Sequence, residues 1–101
     1  RASEYNDAFA RLKEYGEKVS VARVQHEAEM QLRQMMSDFT AMGVNLNTSI
    51  MCRDQAAETR YNIAATKMSE ALALAEAYGL YQRYQEFFFR NAKTSYHTCR
   101  D

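Results

Sequence analysis

The chain has no proline and no tryptophan, and only three glycines among its 101 residues. Without proline nothing forces a break inside a helix, and so little glycine leaves few weak points along one. Cysteine is scarce as well. Cys52 and Cys99 are too few for a disulfide scaffold; the compartment stays open, with reduced thiols and a cytosolic home favoured. No run of about 18 apolar residues occurs, so no helical membrane span is expected. Net charge is absent too: 13 basic residues balance 13 acidic ones. Neither half is strongly basic, so a nucleic-acid partner is not expected on charge. No signal peptide or transit segment is visible, and the chain opens at Arg1 instead of Met, so a fragment or a processed form is expected.

The patterns that carry chemistry are missing in the same way. There is no glycine-rich phosphate loop, no Cys-x-x-Cys and no Ser–His–Asp arrangement. The helical di-iron signature Glu-x-x-His does not occur. His26 and His97, the two histidines, fall on different elements with no cysteine or acid at ligand spacing. Cys99 follows His97 by two positions, which puts them on different faces of a helix. Asp54 and Glu58 form an acidic pair one turn apart beside Arg53 and Arg60, the pattern of a solvated face. No catalytic activity, no metal and no cofactor are expected.

What the sequence does contain is helical periodicity. Steps of four and three from Ile50 pass through Ala57, Tyr61, Ala64, Met68, Ala71, Ala75 and Tyr78, and continue to Phe89, Ala92, Tyr96 and Cys99. Asp54, Gln82 and Gln85 are the polar exceptions on that path. A seam this long reads as helix packing, and Ala57, Ala64 and Ala71 at equivalent heptad positions admit a close partner backbone. Upstream, Tyr5, Ala8, Leu12, Tyr15, Val19 and Ala22 form one stripe, and Val21, Val24, Ala28, Leu32, Met35, Phe39 and Met42 form another. The register slips near residues 19–24, which means that the buried face rotates or the partner changes there. Gly16 lies nearby and reads as a weak point or, preferably, as a close contact. The pairs Asp7–Arg11, Glu14–Lys18, Glu29–Arg33 and Glu86–Arg90 place the acid four residues before the base, worth roughly 0.2–0.5 kcal/mol each.

Ser3 reads as the cap of the first helix, with Glu4 and Asp7 in its first turn. Gly43 suits the left-handed position after a helix, and Asn47, Thr48 or Ser49 suits the next cap. The resulting expectation is a single all-α domain over 1–101: a helix over about 3–42, a loop over about 43–48 and a helix over about 49–99. It is an antiparallel, coiled-coil-like hairpin of two long helices, or a three-helix bundle if the chain breaks near Gly79. The continuous hairpin is preferred, since Glu76-Ala77-Tyr78-Gly79-Leu80-Tyr81 offers no capping residue after the glycine. In a continuous helix Cys52 and Cys99 stand about 70 Å apart; in a reversed chain they return to similar levels.

The second helix ends in surplus aromatics: Tyr78, Tyr81, Tyr84, Phe87, Phe88, Phe89 and Tyr96 point all around the axis. One face cannot bury them all, so they are the interface candidates. In a long hairpin this end lies opposite Tyr5, Phe9 and Leu12, and Tyr84 and Phe88 are expected to meet atoms from outside the hairpin. Arg83, Arg90, Lys93, His97 and Arg100 make the same end basic. No family motif is matched. The loop lacks the Trp-x-Gly signature of small secreted helical hairpins, and the likeness to membrane-bending crescent dimers is one of architecture. The functional expectation is a non-enzymatic assembly module that self-associates or docks on another helical subunit. The alternatives are a membrane-surface or lipid-binding helical dimer and a cell-surface ligand-binding bundle.

Overall fold

The computed structural model describes residues 1–46 and 54–91. Among them the protein is all-α, with three helices and no strand: α1 (Ala2–Ala41), α2 (Gln55–Ala77) and α3 (Tyr81–Asn91). The sequence reading of an all-α antiparallel hairpin stands, and the chain takes the alternative in which it breaks at Gly79.

α1 begins one residue earlier than expected. Its N-cap is Arg1, which makes no side-chain capping bond, so Ser3 lies inside the first turn and is not the cap. The far end is as anticipated: Gly43 is left-handed with φ +65°, and its N–H donates to the Thr40 carbonyl at 3.1 Å. Leu46, fully buried, follows as the chain turns over the end of the bundle. The expected caps Asn47, Thr48 and Ser49 lie outside the described residues. α2 itself starts at Gln55, because Asp54 is extended (φ −135°, ψ 107°) and its carboxylate accepts from the Ala56 N–H. Asp54 is therefore outside the helix that was expected to run through it from about 49. Asp54, one of the three polar exceptions in the heptad count, is thus a helix cap.

Between Tyr61 and Ala75 the stripe behaves as read: Tyr61, Ala64, Met68, Ala71 and Ala75 are all buried. They face Ala28, Leu32 and Phe39 of α1, with Met35, Met36 and Met42 packed at the margin. The Tyr61 hydroxyl donates to the Leu46 carbonyl at 3.2 Å, so the one large polar tip in this seam is satisfied. Every buried alanine in the seam shortens the gap between helix axes, and the second α1 stripe fills it.

Among the described residues the expected helix over about 49–99 is broken into α2 and α3, and Gly79 is the reason. Its φ is +68°, its N–H donates to Glu76 O at 3.3 Å and the Leu80 N–H donates to Ala75 O at 2.7 Å. That pair of bonds is a Schellman motif, which satisfies the last carbonyls of α2 without any side-chain cap. Its usual apolar contact is present as well, since Leu80 and Ala75 are both fully buried. The signal was therefore a glycine followed by a leucine, and a missing polar cap did not argue against it.

α3 then folds back. Gln25 Nε2 donates to Tyr78 O at 3.0 Å, Arg83 Nη1 reaches Glu29 Oε2 at 2.6 Å, and the Phe39 and Phe87 rings meet edge to face at 5.9 Å. These contacts climb α1 in step with α3, so α3 runs parallel to α1 and antiparallel to α2. The bundle thus ends near Gln25. Tyr5, Phe9 and Leu12 never come opposite Leu80–Arg90, because α2 stops short of them and α3 heads the other way. Residues 2–24 of α1 extend beyond the bundle as an arm. Cys52 and Cys99, whose levels the break was expected to equalise, both lie outside the described residues.

Candidate interaction surface

The aromatic end divides into buried and exposed members. Phe88, 1% exposed, belongs to the core, stacked on Tyr81 at 5.7 Å and edge-on to Phe87 at 5.6 Å. Phe87 is half-buried between it and Phe39. The heptad path expected through Gln82, Gln85 and Phe89 is not the buried one: after the turn the buried face restarts at Leu80, Tyr84, Phe87 and Phe88. So Phe88 meets its neighbours inside the chain, contrary to the expectation of atoms from outside. Tyr78, Tyr81 and Phe89 stay exposed, and Tyr96 lies outside the described residues. Shallow clefts of about 460 Å³ beside Tyr81, Gln85, Glu86 and Phe89, and of about 360 Å³ beside Val21, Val24, Ala77 and Tyr78, mark this outer side.

Tyr84 is half-buried and has a polar task. It departs from helical backbone angles (φ −116°, ψ 17°), which kinks α3. Its hydroxyl donates to Glu29 Oε1 and accepts from Arg33 Nε at 2.8 Å. Glu29, with a side chain 14% exposed, also holds Arg83 at 2.6 Å and stands 3.7 Å from Arg33 Nη2. The Tyr84 hydroxyl, then the Arg83 guanidinium, hold the Glu29 carboxyl below its usual range. The Tyr84 hydroxyl and the Glu29 charge likewise hold Arg33 more firmly protonated. This group clips α3 to α1 through long side chains. Arg83, counted from sequence among the cations of a basic end, faces a carboxylate, and Arg90 pairs with Glu86 at 2.9 Å.

The largest apolar exposure lies elsewhere, on the arm. Tyr5, Phe9, Leu12 and Tyr15 are 59–70% exposed, and Val19 is 44% exposed. No described residue of α2 or α3 covers them. At 100° per residue the stripe Tyr5–Ala8–Leu12–Tyr15–Val19–Ala22 points about 160° away from the stripe Ala28–Leu32–Met35–Phe39. The slip near residues 19–24 is where α1 leaves its intrachain partner, and its apolar face changes side there. Had α2 continued straight, it would have met Asp7, Ala10, Glu14 and Glu17, the polar side of the arm. Gly16, expected at a close contact, has nothing within 4 Å of where a Cβ would stand. Sequence reasoning saw both stripes and missed that only the second, and only from Ala28 on, is covered within the chain.

Among the described residues no group of His, Cys, Asp and Glu could hold a metal ion, and no helix is long and apolar enough to cross a membrane. Comparison of the chain with family models, with curated proteins and with solved structures finds no match.

Proposed function

We propose that this protein is a non-enzymatic helical assembly module, in which the three-helix bundle is the folded anchor and residues 2–24 of α1 are the docking arm. The observation that supports the reading is the exposed heptad stripe on the arm, turned away from the bundle's own core. Five large apolar side chains in water on one face of a lone helix cost hydrophobic free energy that a partner helix recovers, at about 25 cal/mol per Å² buried. A bare helix of this length is also marginal, since tertiary packing supplies most helical stability. The partner is accordingly a second helix, from another copy or from another subunit.

Hydrogen exchange in the dilute protein tests the reading without naming the partner. The arm amides of residues 2–24 are expected to exchange orders of magnitude faster than those of Ala28–Phe39. An arm as protected as the bundle in the monomer sinks it, because a helix that is stable alone has no need of a docking partner. The lipid-surface reading draws less support, since Arg83 and Arg90 face carboxylates and Phe88 is in the core. Co-sedimentation with liposomes, compared with and without anionic lipid, is the measurement that separates it.

A further inference from the structure

We infer that the occupant of the arm is the arm of a second copy, lying antiparallel so that Tyr5 faces Ala22, Ala8 faces Val19 and Leu12 faces Tyr15 of the other chain. This rests on the assembly reading above and names its partner. In that register every layer but the central two sets a large side chain against a small one. A parallel pairing instead stacks Tyr5 on Tyr5 and Tyr15 on Tyr15 and leaves Ala8 on Ala8 and Ala22 on Ala22, two overfilled layers and two empty ones.

Neighbouring registers fail for different reasons. Sliding the second copy one heptad towards the bundle brings Tyr5 against the side of α1 that carries His26, Glu29 and Arg33, where Arg83 and Tyr84 already sit. Sliding it one heptad away sets Tyr5 on Tyr15 and leaves Val19 and Ala22 uncovered. The proposed register covers the whole stripe and lets each arm end where the other chain's bundle begins. Its edges agree. Phe9 of one copy lies beside Gly16 of the other, where the chain leaves open space and spends a helix-weakening glycine on no contact of its own. A single two-fold axis relates the copies, the commonest symmetry of homo-oligomers. The arm is nearly neutral, with Arg1, Arg11, Lys13, Lys18 and Arg23 against Glu4, Asp7, Glu14 and Glu17, so no strongly charged partner is selected. One contact opposes the pairing: Arg11 of each copy flanks the seam beside Lys18 of the other.

Spin-label distances on the full chain test this, in a Cys52→Ser/Cys99→Ser background that keeps the wild-type association. Ser3→Cys and Ala10→Cys place labels on the outer face of the arm. Antiparallel copies separate the two Ser3 labels by about 32 Å along the axis and the two Ala10 labels by about 10 Å. The measured distance therefore shortens markedly from the first variant to the second. Arg11→Glu replaces two repulsions by two attractions to Lys18 and tightens association roughly three- to tenfold at low salt; a parallel pair would set it beside Gly16 and gain nothing. Equal distances for both labels, or no response to Arg11→Glu, overturn the antiparallel register and leave arm-mediated association standing. A chain that stays monomeric to about 100 µM with a fast-exchanging arm overturns the second copy as occupant, while docking on another subunit stands.

Discussion

The Tyr84 hydroxyl donates a hydrogen bond to Glu29 across 55 residues of sequence, and Arg83 joins the same carboxylate from the neighbouring position. A tyrosine that composition marks as an interface anchor thus closes the bundle from within. Its kinked backbone supplies the aim.

This contact makes stability depend on pH in a definite direction. The folded-state pKa of Glu29 lies below its usual 4.5, so the contribution is present above the unfolded value and is lost as pH falls through the folded one. Wild type is expected to exceed Glu29→Gln in denaturant midpoint at pH 7, with the gap narrowing steadily towards pH 3. A constant gap over that range would show that the carboxylate charge adds nothing.

Phe88→Ala should cost about 3–5 kcal/mol, since it empties a fully buried ring site between Tyr81 and Phe87. Phe89→Ala, one residue on and 70% exposed, should change the same midpoint by at most about 0.5 kcal/mol. Urea melts of the two variants check the inside-outside assignment of α3 directly.

Two glycines respond to alanine with opposite signs. Gly79 sits at φ +68°, where alanine is strained, and Gly79→Ala should destabilise the bundle by about 1–2 kcal/mol. Gly16 is helical with open space around it, so Gly16→Ala should raise the helical signal at 222 nm, worth about 0.5–1 kcal/mol of local helix stability. The arm is outside the bundle, so the bundle's melting midpoint should not move. A shift in that midpoint with Gly16→Ala would show the arm and bundle to unfold as one unit.

Leu12→Glu puts a charge in the centre of the exposed stripe. It should abolish association in sedimentation experiments and leave the urea midpoint of the monomer within about 0.5 kcal/mol, because Leu12 is already 68% exposed. Persisting association with this substitution would place the contact surface elsewhere, with Tyr78, Tyr81 and Phe89 the next surface to alter.

By itself the sequence determined the helices and their seams. The absence of proline, the glycine at 43 and the four-three spacing from Tyr61 to Ala75 are local instructions, and the folded chain obeys each: Gly43 is left-handed and the stripe is buried. The two stripes of α1 and the slip between them were also legible. Where the heptad count failed, it ran across a punctuation mark. It passed through Asp54, which is a cap, and through Gly79, which is a reversal. Periodicity is a phase, and a phase restarts after every cap, so Phe88 and not Phe89 is inside.

Only the tertiary structure decided which stripe has a partner within the chain. That depends on how far α2 runs before it turns, and the stopping point is set by a backbone motif whose apolar half, Leu80 on Ala75, is recognisable as a cap only once both are packed. Turning at Gly79 brought Tyr84 and Phe88 home to α1 and α2, where hydrophobic burial and the Glu29 carboxylate hold them. The same turn left Tyr5 to Val19 in solvent. Local spacing fixes which residues share a face, whereas burial depends on what arrives opposite that face, and arrival is a property of the whole folded chain.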